Sequence, residues 1–224
     1  MIGRLVFLLC LTAPIDLALA QRQLDVWPDH GLRSVGGAVA AARNGDTIVV
    51  HAGVYREPQI VIDKRIALIG QGNAVLDGQG KHGILLVTAD DVTVRGLVLR
   101  DVGTSFVEDR AAIRVSQAKG CSIERNRIEN GFFAIYLANV TDCRVVANVI
   151  HASSTRETEA GNGIHLWTSR RITIEGNQVS GQRDGIYFEF VHDTDVRDNV
   201  STGNLRYGLH FMYSNRNAYR GNLF

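Results

Sequence analysis

His210 and Met212 stand two residues apart in "YGLHFMYS", residues 207–214. On a strand that spacing puts both side chains on one face, with Cα atoms roughly 6.7 Å apart. An imidazole and a thioether together suit a soft ion, copper as Cu(I), better than Zn(II) or Mg(II). Simple surface placement competes as an account of the same two residues. The element that carries them decides between the two.

That element belongs to a repeat. Five segments align: "AIRVSQAKGCSIERNRI", "AIYLANVTDCRVVANVI", "GIHLWTSRRITIEGNQV", "GIYFEFVHDTDVRDNV" and "GLHFMYSNRNAYRGNLF". A small residue opens each one, at Ala112, Ala134, Gly163, Gly185 and Gly208, in steps of 22, 29, 22 and 23 residues. An asparagine follows fourteen positions after each opening, at Asn126, Asn148, Asn177, Asn199 and Asn222. A unit this short cannot bury its own apolar face and must stack on its neighbours. Short alternating runs, turn residues at fixed phase and no long helices predict an all-β fold. It is a right-handed, single-stranded parallel β-helix over residues 47–224. Residues 21–46 are expected to cap its N-terminal end, with a short helix at Val35, Ala38, Val39 and Ala42 that stops at Asn44-Gly45. The chain reaches Phe224 in full repeat phase, so a longer solenoid, truncated here, is expected.

Stacked parallel strands place equivalent residues roughly 4.8 Å apart, so the repeats can be read as columns. Ile113, Ile135, Ile164, Ile186 and Leu209 form one inward column, and Val115, Leu137, Leu166, Phe188 and Phe211 another. Cys121 and Cys143 share a further inward column and read as two buried thiols, with a disulfide left open. The asparagine column reads as a structural ladder of stacked amides, at a corner where asparagine tolerates left-handed backbone. Two outward columns carry the chemistry. One runs Arg114, Tyr136, His165, Tyr187, His210. The next runs Ser116, Ala138, Trp167, Glu189, Met212. His210 and Met212 are thus predicted metal ligands, with Glu189 and His165 as helpers. Trp167, Tyr187 and Tyr136 are predicted to form a partner surface, since aromatic residues concentrate binding energy.

Composition narrows the function classes. The 224 residues carry a formal net charge of +1, which gives no strong field for nucleic acid. Residues 1–20, "MIGRLVFLLCLTAPIDLALA", read as a secretory signal with a small-x-small cleavage site after Ala20, and the apolar run is too short to span a membrane. Export to the periplasm follows. A carbohydrate-active or carbohydrate-binding β-helix, lyase-like or epimerase-like, is the alternative. Against it, Asp184 is five residues from Glu189 along the strand, roughly 17 Å if extended. Paired-carboxylate hydrolysis needs roughly 5 to 9.5 Å.

The stretches "NGIHLWTSRRITIEGNQVSGQRDGIYFEF" and "GNLRYGLHFMYSN" resemble the NosD family, as do "GDTIVVHAGVYRE" and "IALIGQGNAVLDGQG" nearer the N-terminus. The resemblance implies a periplasmic, copper-binding, non-enzymatic accessory protein. It implies work with a membrane ABC transporter to supply copper to nitrous-oxide reductase. Members of that family are longer, which implies that this chain carries the cap and the early rungs.

Overall fold

The computed structural model describes residues 21–105 and 107–224. The expected signal, residues 1–20, lies outside the described residues. The chain winds as a right-handed parallel β-solenoid with one short helix. Among the described residues its strands fall into three parallel sheets of nine, seven and seven strands. Each rung contributes one short strand to each sheet, so every strand pairs with those one rung before and after it.

Register follows the columns. In the seven-stranded sheet whose last five strands are Ala111–Ser116, Phe133–Ala138, Ile164–Trp167, Asp184–Glu189 and Tyr207–Met212, Ile113 pairs with Ile135, Ile164, Ile186 and Leu209 in succession. A slip of one residue would turn the apolar set out into water, so the pattern fixes the pairing. Side chains of the two inward columns fill the core as far as Phe188, one of the largest fully buried ones. In the last described rung Leu209 is half-buried, and Phe211, expected to point inward and be buried, is 54% exposed because no described rung stacks on it. This sheet is called the face sheet below.

The corner after the second strand of each rung is a single left-handed residue. It is Arg125, Ala147, Gly176, Asp198 and Gly221 in the last five rungs, with φ between 52° and 63°. The left-handed residue was expected to be the asparagine itself, and the structure places it one position earlier. The asparagine that follows instead turns its amide into the barrel. Nδ2 of Asn126, Asn148, Asn177 and Asn199 donates to Oδ1 of the next asparagine at 3.1, 3.0, 2.9 and 2.9 Å, ending on Asn222. Each of the four also receives the backbone N–H of its neighbour one rung back, or donates its own to the neighbour ahead. Buried polar groups need partners, and this ladder supplies them along the axis.

The helix Val35–Ala41 sits over the N-terminal end and buries Val35, Ala38 and Val39. Ser34 caps it by accepting from the Gly37 N–H at 3.0 Å, and the Glu57 carboxylate accepts from the Val35 and Gly36 N–H groups. The cap is not separate from the sheets, however. Gln23–Val26 forms a strand that pairs in parallel with Thr47–Val50, so the nine-stranded sheet begins inside residues 21–46. Cys121 and Cys143 are buried free thiols, and the Cys121 N–H donates to Cys143 Sγ at 3.3 Å. No described helix is long and apolar enough to cross a membrane.

Candidate functional site

The face sheet turns its outward residues into a stack. Arg114, Tyr136, His165, Tyr187 and His210 pair in register through five rungs. Ring centroids are 4.4 Å apart for Tyr136–His165, 4.7 Å for His165–Tyr187 and 5.0 Å for Tyr187–His210. The spacing is that of the rungs, so the backbone imposes the contacts. Ala138, Trp167, Glu189 and Met212 pair alongside them.

The four predicted ligands line one cavity. It has a volume of about 330 Å³ and is bounded by His165, Glu189, His210 and Met212, together with Tyr187, Asn162, Asp184, Arg183, Arg206, Phe132 and Phe133. A larger hollow of about 650 Å³ lies elsewhere, at the corner carrying Arg125 and Val149. Its single histidine, His151, is bonded to Ser180 Oγ at 3.0 Å. It gathers no comparable set of donors.

The two histidines of the stack are held differently. His165 Nδ1 lies 3.2 Å from Asn162 Nδ2, and its Nε2 is buried without a hydrogen-bond partner. With the Asn162 amide in this orientation its nitrogen can only donate, so Nδ1 accepts and Nε2 carries the hydrogen. Burial pushes the His165 pKa down to about 3, so the ring is neutral. His210 Nδ1 lies 3.3 Å from Asp184 Oδ2. Asp184 is 1% exposed, and its other oxygen has no hydrogen-bond partner, with Arg206 Nε at 3.9 Å.

Met212 Sδ lies 3.2 Å from the Tyr187 hydroxyl, which is also 3.5 Å from Glu189 Oε2. The phenol has one hydrogen and serves one of these acceptors at a time. Burial, and then the charges of Glu189 and Asp184, raise the Tyr187 pKa, so the hydroxyl keeps its proton. Among the described residues no group of three or more His, Cys, Asp or Glu side chains is placed to hold a metal ion. What the cavity offers is a soft pair, imidazole and thioether, on one strand.

The aromatic residues divide. Trp167 is 37% exposed and sits beside the cavity, outside its lining. Tyr187 forms part of the wall. Tyr136 is covered, at 6% exposed: Phe133 stacks on it at 5.3 Å and the Arg114 guanidinium lies over it at 5.3 Å. It supports the stack from beneath and offers little area to a partner. Two wall residues, Asp184 and Asn162, were not foreseen as parts of a site. Distance along the strand separates Asp184 from Glu189, yet both side chains line the same cavity. The available signal was that Asn162 and Asp184 are 22 residues apart, each directly before a repeat opening.

The model of the family described as "Right handed beta helix region" matches residues 77–224. Two similar proteins are each named "Probable ABC transporter binding protein NosD". The one from Pseudomonas aeruginosa is 36% identical over 127 residues, covering 56% of this chain and 30% of the relative. The one from Stutzerimonas stutzeri is 31% identical over 136 residues, covering 60% and 31%. The chain therefore spans about 30% of the length of these curated relatives. Among solved structures, an alginate lyase from Paenibacillus superposes with TM-score 0.69 at 18% identity, covering 90% of this chain and 75% of the lyase. A polygalacturonase from Erwinia carotovora gives 0.65 at 12% identity, covering 90% and 70%. At these identities the likeness is one of fold.

Proposed function

The chain belongs to the right-handed β-helix region family, and from that premise we propose that it is a non-enzymatic, periplasmic binding protein of an ABC transporter system. Its cargo is copper as Cu(I), and the recipient is nitrous-oxide reductase. One observation carries the cargo: His210 and Met212, on one strand, line a single cavity. Two sequence relatives named as ABC transporter binding proteins support the transporter partnership.

His210 Nε2 and Met212 Sδ are the donors, a set that favours a soft monovalent ion. Glu189 is a harder donor at the edge of the pair. His165 carries its hydrogen on Nε2, so it lines the cavity without offering a lone pair there. Two donors leave an ion open to exchange, which suits transfer to a partner. Trp167, exposed beside the cavity, is the aromatic residue placed to meet that partner.

Anaerobic Cu(I) competition titration of the whole chain tests this reading. His210→Ala and Met212→Ala should each weaken binding at least tenfold. Unchanged affinity in both would sink it.

A second reading has its own observation. Asp184 and Glu189 share one cavity with the Tyr187, Phe132 and Phe133 rings, as in a pocket for a sugar. Cleavage or binding of uronate oligosaccharides by the purified chain, lost in Glu189→Gln, would favour it over the copper reading.

A further inference from the structure

Asn162 and Asp184 occupy equivalent positions in successive rungs, each directly before the glycine that opens a repeat. Each reaches the Nδ1 atom of a stack histidine. Asn162 reaches within its own rung, to His165. Asp184 reaches forward one rung, to His210. The scaffold is the same and the chemistry is opposite. An amide nitrogen donates to Nδ1 and leaves a hydrogen on Nε2. A carboxylate has no hydrogen to give, so it accepts from Nδ1–H and leaves Nε2 with a bare lone pair.

We infer that Asp184 is the positioning residue that fixes His210 in the Nδ1–H tautomer, so that Nε2 is the atom offered to a soft metal ion. This rests on the copper reading for its ligand and on the hydrogen-bond geometry for the tautomer. Two further facts point the same way. Asp184 is 1% exposed, a costly place for a carboxylate, and His210 supplies its one side-chain hydrogen bond. Arg206, at 3.9 Å, is too far to make one. Burying a charge for so little pairing does not favour the fold. Holding an imidazole by its second nitrogen is how proteins orient histidine ligands of metals, and losing such a partner typically weakens metal affinity by about 10- to 100-fold.

Long-range ¹H–¹⁵N NMR on histidine-labelled whole chain, at about pH 8 where free imidazole is neutral, reads the tautomer directly. The His210 signals are identified by their loss in His210→Gln. Wild type should show Nδ1 protonated and Nε2 bare. Asp184→Leu, which removes the acceptor, should shift His210 toward Nε2–H and weaken Cu(I) about 10- to 100-fold. Asp184→Asn keeps an acceptor without the charge and should fall between. A wild-type His210 found as Nε2–H overturns the inference without any substitution, so misfolding of a variant cannot shelter it. So does Cu(I) binding that depends on His210 yet stays unchanged in both Asp184 variants. If wild type binds no Cu(I), or binds it independently of His210, the proposed function fails, and with it the metal half of the inference. The tautomer measurement still judges the other half.

Discussion

Two columns run through the last five rungs of the solenoid at the same spacing and treat polar atoms in opposite ways. Along the inner corner, every asparagine amide from Asn126 to Asn199 meets the next, and each Nδ2 also donates to a backbone carbonyl. On the face sheet, His165 Nε2, Asn162 Oδ1 and one oxygen of Asp184 are buried without hydrogen-bond partners. A repeat that serves the fold satisfies its polar groups at every rung. The face column departs from repetition, with a different residue at nearly every rung, and leaves atoms unsatisfied where it departs. The comparison teaches that regularity marks structure here and broken regularity marks the site.

The hardest test of the inner column is Asn177→Leu. Asn177 is fully buried. Its Oδ1 accepts from the Asn148 backbone and side chain, and its Nδ2 donates to Val145 O and Asn199 Oδ1. Leucine removes those partners from the Asn148 backbone N–H and Val145 O, while Asn148 Nδ2 keeps Ile123 O and Asn199 Oδ1 keeps the residue-177 backbone N–H. At roughly 1–3 kcal/mol for each unsatisfied group, with partial relaxation, the expected loss is about 3–5 kcal/mol. For a chain of this size that is a fall in unfolding midpoint on the order of 10 °C. Thermal and urea unfolding read it, and Cu(I) affinity of the folded protein should not move. A loss under about 1 kcal/mol would put the ladder on a par with ordinary surface contacts and dissolve the contrast.

The second test sits in the face column. A free imidazole titrates near 6.5, and His165 in the fold near 3. Between those values the unfolded chain binds a proton that the fold refuses. Stability from this group is therefore whole above about pH 6.5 and falls as pH drops toward 3. The expected fall is on the order of 3 kcal/mol by pH 4. His165→Phe keeps a ring in the stack and removes the titration. Its urea midpoint should decline less between pH 7 and pH 4 than that of wild type. Parallel declines in the two proteins would mean that the ring is solvated and not buried.

These two regions were not equally legible in the sequence. The asparagine ladder and the inward columns could be read because they repeat, and the observed register of Ile113 through Leu209 follows the alignment residue for residue. The stack of Tyr136, His165, Tyr187 and His210 was legible only because the repeating inward columns beside it set its register. Asp184 was not. Strand arithmetic measures along the chain, while Asp184 meets His210 across rungs, and its parity on the strand is that of the core residues Ile186 and Phe188. Nor does column reading tell what covers a column from outside. Phe133 lies over Tyr136 and removes it from the surface. The left-handed corner fell one residue early because the asparagine is selected for its inward amide and not for its backbone.

Met212→Leu separates function from fold. Leucine matches the shape of methionine and lacks the sulfur, and Met212 is 36% exposed, so stability should stay within about 0.5 kcal/mol of wild type. Cu(I) affinity should fall about tenfold, or about 1.4 kcal/mol. The ladder variant does the reverse, losing stability and keeping affinity. If Met212→Leu lost stability instead, Met212 would belong with the packing residues.

The smallest expected effect is a gain. The Tyr187 hydroxyl lies 3.2 Å from Met212 Sδ, and a hydrogen bond there draws on the same sulfur electron density that would bind an ion. Tyr187→Phe removes the competitor and keeps the ring between His165 and His210. A net hydrogen bond contributes roughly 0.5–1.5 kcal/mol, and a thioether is a weak acceptor, so the low end applies. Cu(I) should bind about two- to threefold more tightly in Tyr187→Phe, measured by the same competition titration. Weaker binding would mean that the phenol helps to hold the ion, directly or through Glu189. The face column would then owe its function to a completed hydrogen-bond network, as the asparagine ladder owes its stability to one.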